Sequence, residues 1–117
     1  MTPHFELKRT DSGRFLFNLK AGNGEIILTS GLYEDKAAAS KGIATAIASA
    51  RDASHFERKV ASNKQPYFVL SSAMGEFVGK SEMYSSTSGM ENGINSVIRN
   101  AADATLVDLT EAEVAHK

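Results

Sequence analysis

The 117-residue chain carries 13 Lys/Arg against 14 Asp/Glu, a net charge of −1, with 42% hydrophobic residues and no cysteine. The length fits one domain, the apolar share supports a buried core, and the near-neutral balance argues against duplex nucleic acid or an anionic membrane as a partner. The lack of cysteine removes disulfides, thiolate catalysis and thiolate-ligated zinc together.

The N-terminal Met1-Thr2-Pro3-His4-Phe5-Glu6 has no basic segment followed by an apolar run, so no secretory leader is expected. No apolar stretch approaches the roughly 20 residues of a membrane helix. A cytoplasmic protein is the expectation. Charge is uneven along the chain: residues 1–51 carry seven basic against five acidic residues, and residues 52–117 six against nine.

Residues 4–9 alternate, with Phe5 and Leu7 on one side and His4, Glu6 and Lys8 on the other, which predicts a half-buried strand. Asp11-Ser12-Gly13 supplies a turn. Residues 14–20 alternate again, setting Phe15, Phe17 and Leu19 against Leu16, Asn18 and Lys20. Gly22-Asn23-Gly24 follows, and Asn-Gly between strand-like runs predicts a type I′ hairpin, in which both central residues take positive φ. Residues 25–30 are apolar and β-branched, a third strand. From Lys36 to Arg51 the period changes: Ala39, Ile43, Ala46, Ile47 and Ala50 recur at helical spacing, with Asp35 as N-cap.

The chain then repeats itself. Shifted by 51 positions it aligns without a gap, with 16 identities over positions 4–53, where ordinary composition gives about three. The matches include His4-Phe5-Glu6 with His55-Phe56-Glu57, Phe17 and Leu19 with Phe68 and Leu70, Ser30 with Ser81, Tyr33 with Tyr84, and Gly42-Ile43 with Gly93-Ile94. Met90, Ile94, Val97, Ile98 and Ala101 form the second helical stripe, capped by Ser86. Thr105–Leu109 closes the chain as a strand. Glycine inside a helix costs about 1 kcal/mol relative to alanine, so the duplicated Gly42 and Gly93 predict a close approach of each helix to the sheet.

These elements predict an α+β fold: two tandem β(3)-α-β repeats (about 4–53 and 55–110) in one domain, 1–117. They form a single mostly antiparallel sheet with two helices on one face and pseudo-twofold symmetry. Two copies are too few for a solenoid and close more naturally on each other, like a dimer fused into one chain. A monomer is therefore expected, with residues 111–117 a disordered tail. Pro66, where the first copy has Phe15, cannot donate to a ladder and predicts an edge or strand-start position. Met74-Gly75 is a weaker hairpin signal than Asn23-Gly24.

The stretches Phe17-Asn18-Leu19-Lys20-Ala21-Gly22-Asn23-Gly24-Glu25, Leu28-Thr29-Ser30 with Tyr33, and Lys41-Gly42-Ile43 resemble the YegP-like family of uncharacterised bacterial proteins in its tandem form, over about residues 4–109. The resemblance implies β(3)-α-β units whose C-terminal strands are exchanged between units, and it implies no activity, cofactor or catalytic residue.

Candidate chemistry is sparse. His4 with Glu6 and His55 with Glu57 would offer four metal ligands if the two strands met across the pseudo-twofold axis. Such residues more often form outer-face ion pairs, here with Lys8 and Lys59. Ser30/Tyr33 and Ser81/Tyr84 at the strand-to-helix junctions would place hydroxyls near a helix N-terminus, although a ring packed under the helix and a serine shaping the turn explain them better. Gly22-Asn23-Gly24 lacks the spacing of a phosphate loop. No serine is tied by the sequence to a histidine and an acid. No catalytic, cofactor or metal residue is assigned. A non-enzymatic interaction or accessory module with an unidentified protein partner is the first expectation. The alternative is a ligand- or single-stranded-nucleic-acid-binding module on the open sheet face, using Lys8, Asn18, Lys20, Asn23 and Tyr67. The intact loop Lys20–Glu25 is the first place to look.

Overall fold

The structure, a computed structural model, describes residues 2–110; the segment expected to form a tail, 111–117, lies outside them. The strands are β1 (His4–Arg9), β2 (Phe15–Lys20), β3 (Ile26–Ser30), β4 (Phe56–Val60), β5 (Pro66–Ser71), β6 (Phe77–Lys80) and β7 (Thr105–Asp108), and the helices are α1 (Lys36–Ser49) and α2 (Thr87–Asp103). A one-turn 3-10 helix, Ala53–His55, leads into β4. All seven strands share one sheet in the order β4, β5, β6, β3, β2, β1, β7. The pairs are antiparallel except β1 with β7, which is parallel.

The expected symmetry is present. Each unit is a three-strand meander, and the two meanders join through β3 and β6, where Thr29 faces Lys80 and Ser30 faces Gly79. Each helix packs on strands of both units, α1 on β2 and β6, α2 on β5 and β3. The strand that follows α1 opens the second unit at the far edge, and the strand that follows α2 returns to the first unit beside β1. The C-terminal strand is thus exchanged, as the family resemblance implies.

Asp35 and Ser86 cap the helices as expected, accepting from the backbone N–H of Ala38 at 2.7 Å and of Gly89 at 3.0 Å. The stripes Ala39, Ile43, Ala46, Ala50 and Met90, Ile94, Val97, Ala101 are buried against Phe5, Phe17, Leu19, Phe68 and Leu70.

The hairpin at Gly22–Gly24 forms, with a different turn from the one expected. Type I′ needs positive φ at two residues, and only Gly24 has it, at 85°. Gly24 N–H donates to the Ala21 carbonyl and Ala21 N–H to the Glu25 carbonyl, both at 2.9 Å. This is a type I turn followed by one left-handed residue. The same geometry recurs at Thr10–Gly13, Ala61–Lys64 and Ser72–Gly75, with Gly13, Lys64 and Gly75 at φ 85, 70 and 84°. Lys64 does without glycine, at a cost of about 1 kcal/mol. Met74-Gly75, the weaker signal, closes the same turn because only the glycine position needs left-handed backbone.

Pro66 is the first residue of β5. Its counterpart Phe15 exchanges two hydrogen bonds with Tyr33, at 2.9 and 2.7 Å; Pro66 keeps one, accepting from Tyr84 N–H at 2.9 Å. The proline sits where losing its N–H removes one bond from a strand terminus rather than from a ladder interior.

The duplicated serines are part of the fold. Ser30 Oγ accepts from Phe17 N–H at 2.9 Å and donates to the Gly31 carbonyl at 2.8 Å. Ser81 Oγ repeats this with Phe68 N–H at 3.0 Å and the Glu82 carbonyl at 2.7 Å. Each hydroxyl fills the gap where strand pairing stops. Ser30→Ala would strand a buried N–H, and is expected to cost about 1–2 kcal/mol, read as a lower urea midpoint at unchanged slope. Ser81→Ala should match it.

Candidate functional site

The residues expected on the open sheet face fall into three places. Lys8, Asn18 and Lys20 surround Glu6. The Glu6 carboxylate takes His4 Nε2 at 2.9 Å, Lys20 Nζ at 3.2 Å and Lys8 Nζ at 3.4 Å. Burial pushes this carboxyl up, but hydrogen bonds from His4 and Lys20 and the charges of Lys20 and Lys8 outweigh it and hold it below the usual range. Asn18 is buried and donates to Thr29 Oγ1 at 2.9 Å. Asn23 lies in the hairpin, where its side chain donates to Glu25 Oε1 at 3.2 Å and accepts from Glu25 N–H at 3.0 Å. Tyr67 stands on β5, three strands from Lys20, opposite Lys59. Lys8 and Lys20 therefore meet an internal carboxylate before any external anion.

The histidine pairs are also kept apart. His4 and His55 belong to opposite ends of the six-strand frame, five strand spacings or about 24 Å apart, and cannot share an ion. Among the described residues no three His, Asp or Glu side chains converge. His4 is held by Glu6, whereas His55 departs from the repeat: its Nδ1 meets the Ser49 carbonyl at 2.9 Å at the end of α1. Tyr33 and Tyr84 pack under their helices, stacked on Phe17 and Phe68 at centroid distances of 6.1 and 6.3 Å.

A concave site appears elsewhere, between α1 and the second hairpin. It is a groove of about 430 Å³. Ala44, Thr45 and Ala48 of α1 form one wall and Ser72, Ala73 and Met74 the other, with His55 and Ser49 at one end and Lys41 and Glu76 at the rim. Met74 is 88% exposed. A second depression, lined by Tyr33, Ala38 and Phe77, shares Lys41, Thr45 and Glu76 with it, so the groove continues onto an exposed aromatic of the same hairpin.

The groove's lining differs in chemistry from the symmetry-related positions of the other unit. Position 51 residues on from Ala44 is Asn95, and from Ala48 it is Arg99, so α2 carries larger polar side chains where α1 carries alanine. In the first hairpin Asn23 folds back onto Glu25. In the second, Ser72 Oγ takes over that task, accepting from Glu76 N–H at 3.2 Å and Met74 N–H at 3.3 Å. Position 74 is then free of the turn, and an unbranched, polarisable thioether stands at the rim. The first hairpin borders a wider depression of about 770 Å³ with Glu25, Glu82 and Tyr84, where burial and the two carboxylates raise the Tyr84 phenol. The expectation at Lys20–Glu25 thus finds the more polar of the two concavities. The signal for the other was in the copy-to-copy comparison: a methionine in a turn and alanines for Asn and Arg on an exposed helix face.

The chain matches the family described as "Domain of unknown function (DUF1508)" twice, over residues 11–57 and 61–108. It is 44% identical over 108 residues to a UPF0339 protein of Mannheimia succiniciproducens, covering 92% of this chain and 96% of that one. It is 43% identical over 107 residues to the UPF0339 protein YegP of Yersinia pestis, with the same shares. Among solved structures, the solution structure of a UPF0339 protein from Shewanella oneidensis superposes with a TM-score of 0.90 at 41% identity, covering all of this chain and 99% of that one. YegP of Escherichia coli, described as a protein of unknown function, gives 0.88 at 43% identity over 94% and 95% of the two chains.

Proposed function

Because this chain belongs to the DUF1508 family, carrying two copies of its domain in tandem, we propose that it is a non-enzymatic interaction module that receives an apolar segment of a partner protein in the groove between α1 and the second hairpin. The observation that carries this reading is the difference in side chains between the two halves at the groove. The fold duplicates nearly every buried contact, yet one half alone combines small side chains on an exposed helix face with an exposed methionine. Contiguous exposed apolar surface on a small domain marks contact sites, and methionine adapts to varied partners. Support also comes from where the reactive side chains are used: Ser30 and Ser81 close strands, His4 serves Glu6, and the His55 ring meets a helix-end carbonyl.

Ala48→Arg installs on α1 the residue that α2 carries at the matching place. Ala48 is exposed, so the change should leave stability within about 0.5 kcal/mol while filling the groove. In affinity capture from a bacterial lysate, partners held by the wild-type chain are expected to be lost from Ala48→Arg and retained by Arg99→Ala. Equal capture by all three, or none by the wild type, would count against the groove.

A further inference from the structure

The two ends of the sheet are chemically unequal. At one end β7 covers β1, and Leu109 N–H donates to the Leu7 carbonyl at 2.9 Å. β4 is the counterpart of β1, and Arg58 stands 51 residues from Leu7. No strand lies beyond β4 among the described residues. The duplication internalises the β3–β6 junction and the β1 edge; among the described residues the sheet ends on β4 at one side and on the four-residue β7 at the other. Strand residues alternate in the direction of their backbone groups, so Arg58 and Val60 turn theirs outward, as Leu7 does toward β7. Val60 is 69% exposed. An open edge templates pairing with another chain.

The sequence of β4, Phe56-Glu57-Arg58-Lys59-Val60, selects the occupant. Antiparallel pairing of β4 with a second β4 about a twofold axis at Arg58 sets Glu57 opposite Lys59, Lys59 opposite Glu57, and Phe56 opposite Val60 at both ends. Slipping two residues in total one way sets Glu57 against Glu57, and the other way Lys59 against Lys59. Parallel in-register pairing stacks like on like at every position. A slip of odd total mismatches the pleat and turns side chains to the wrong face. Opposite charges directly across a strand pair stabilise it and like charges do the reverse. Glu57 and Lys59 lie on one face, 3.5 Å apart at their charged ends. Arg58, at the axis, arrives with its charge already matched by a two-point contact with Glu91 of α2.

We propose that β4 is a self-association edge: two copies pair β4 to β4, antiparallel about Arg58, and join two seven-stranded sheets into one. The contact is small and the dimer weak. Sedimentation at concentrations up to about 1 mM should show the mean mass rising from 12.5 kDa toward twice that value. Glu57→Lys and Lys59→Glu should each weaken association about tenfold. The double variant carrying both changes should restore it, and so should an equimolar mixture of the two single variants, in which every cross-strand pair is again opposite in charge. Three results would overturn the proposal. One is a mass of 12.5 kDa at every concentration. Another is association indifferent to the charge reversals, which would place the contact elsewhere. The third is a shift of the Glu57–Val60 amide signals caused by a synthetic peptide spanning Ala104–Thr110 in a chain that stays monomeric, which would make the edge an acceptor of parallel strands in the manner of β7. The Ala48→Arg variant should dimerise normally, so this proposal and the groove fail separately.

Discussion

Phe17→Ala is expected to cost about 3–5 kcal/mol of stability, and Phe68→Ala the same amount to within about 1 kcal/mol. Both rings are fully buried. Phe17 meets Phe5 edge-on at a centroid distance of 5.8 Å and Tyr33 face-on at 6.1 Å; Phe68 meets Phe56 at 5.6 Å and Tyr84 at 6.3 Å. Each ring is thus the middle of a three-ring stack between strand and helix. Its removal leaves a cavity that the neighbours cannot close, because Phe5 and Phe56 are fixed by strand pairing and Tyr33 and Tyr84 by backbone hydrogen bonds to Phe15 and Pro66. A domain of this size is stable by only about 5–15 kcal/mol, so either variant should melt well below the wild type. Matched urea titrations of the two variants measure how far the symmetry of sequence extends to energy. Costs differing by more than about 2 kcal/mol would show that the two halves are not energetically equivalent, despite their matched contacts.

Gly42→Ala sets two effects of opposite sign against each other. Alanine inside a helix is favoured over glycine by about 1 kcal/mol. A Cβ at Gly42, however, would lie 2.3 Å from Tyr33 Oη, 2.6 Å from its Cζ and 3.2 Å from Phe17. At Gly93 the distances to Tyr84 Oη, its Cζ and Phe68 are 2.2, 2.6 and 3.2 Å. The phenol cannot swing away, since its ring is stacked on the phenylalanine. Overpacking costs about 1–3 kcal/mol, occasionally more, and contacts this short sit at the upper end, so packing wins over propensity. A net loss of about 2 kcal/mol is expected for each glycine. In a Tyr33→Ala background the two shortest contacts are gone and Phe17, at 3.2 Å, has the vacated space to give into, so Gly42→Ala should become neutral or stabilising. That reversal in a double-mutant cycle separates the packing account from a general intolerance of the helix.

The same pair of residues shows how far the sequence could be read. That Gly42 and Gly93 mark a close approach followed from their cost inside a helix. A tyrosine ring under each helix was expected from the repeated Tyr33 and Tyr84; that this ring, rather than the sheet backbone, is the group that meets the glycine depended on the path of the chain between Ser30 and the helix. Asn23-Gly24 announced a hairpin, but not its turn type, since the turn takes left-handed backbone at Gly24 alone and spares Asn23 the positive φ that the dipeptide suggested. Lys8, Asn18 and Lys20 were correctly grouped on one face. Their availability was not readable, because Glu6 lies on a different strand from Asn18 and Lys20, and only the β1–β2 register brings it among them.

The repeat, the order of elements, the caps and the buried stripes were determined by the sequence alone, because periodicity, turns and caps are set by neighbours within a few residues. The position of β4 at the end of the sheet, the return of β7 to β1 and the groove beside Met74 were decided by the tertiary structure. An edge strand and a covered strand present the same alternation, and the choice between them is made by which distant strand arrives. The groove exists because a run of small residues on α1 meets a hairpin about 30 residues away whose own hydrogen bonds leave Met74 free.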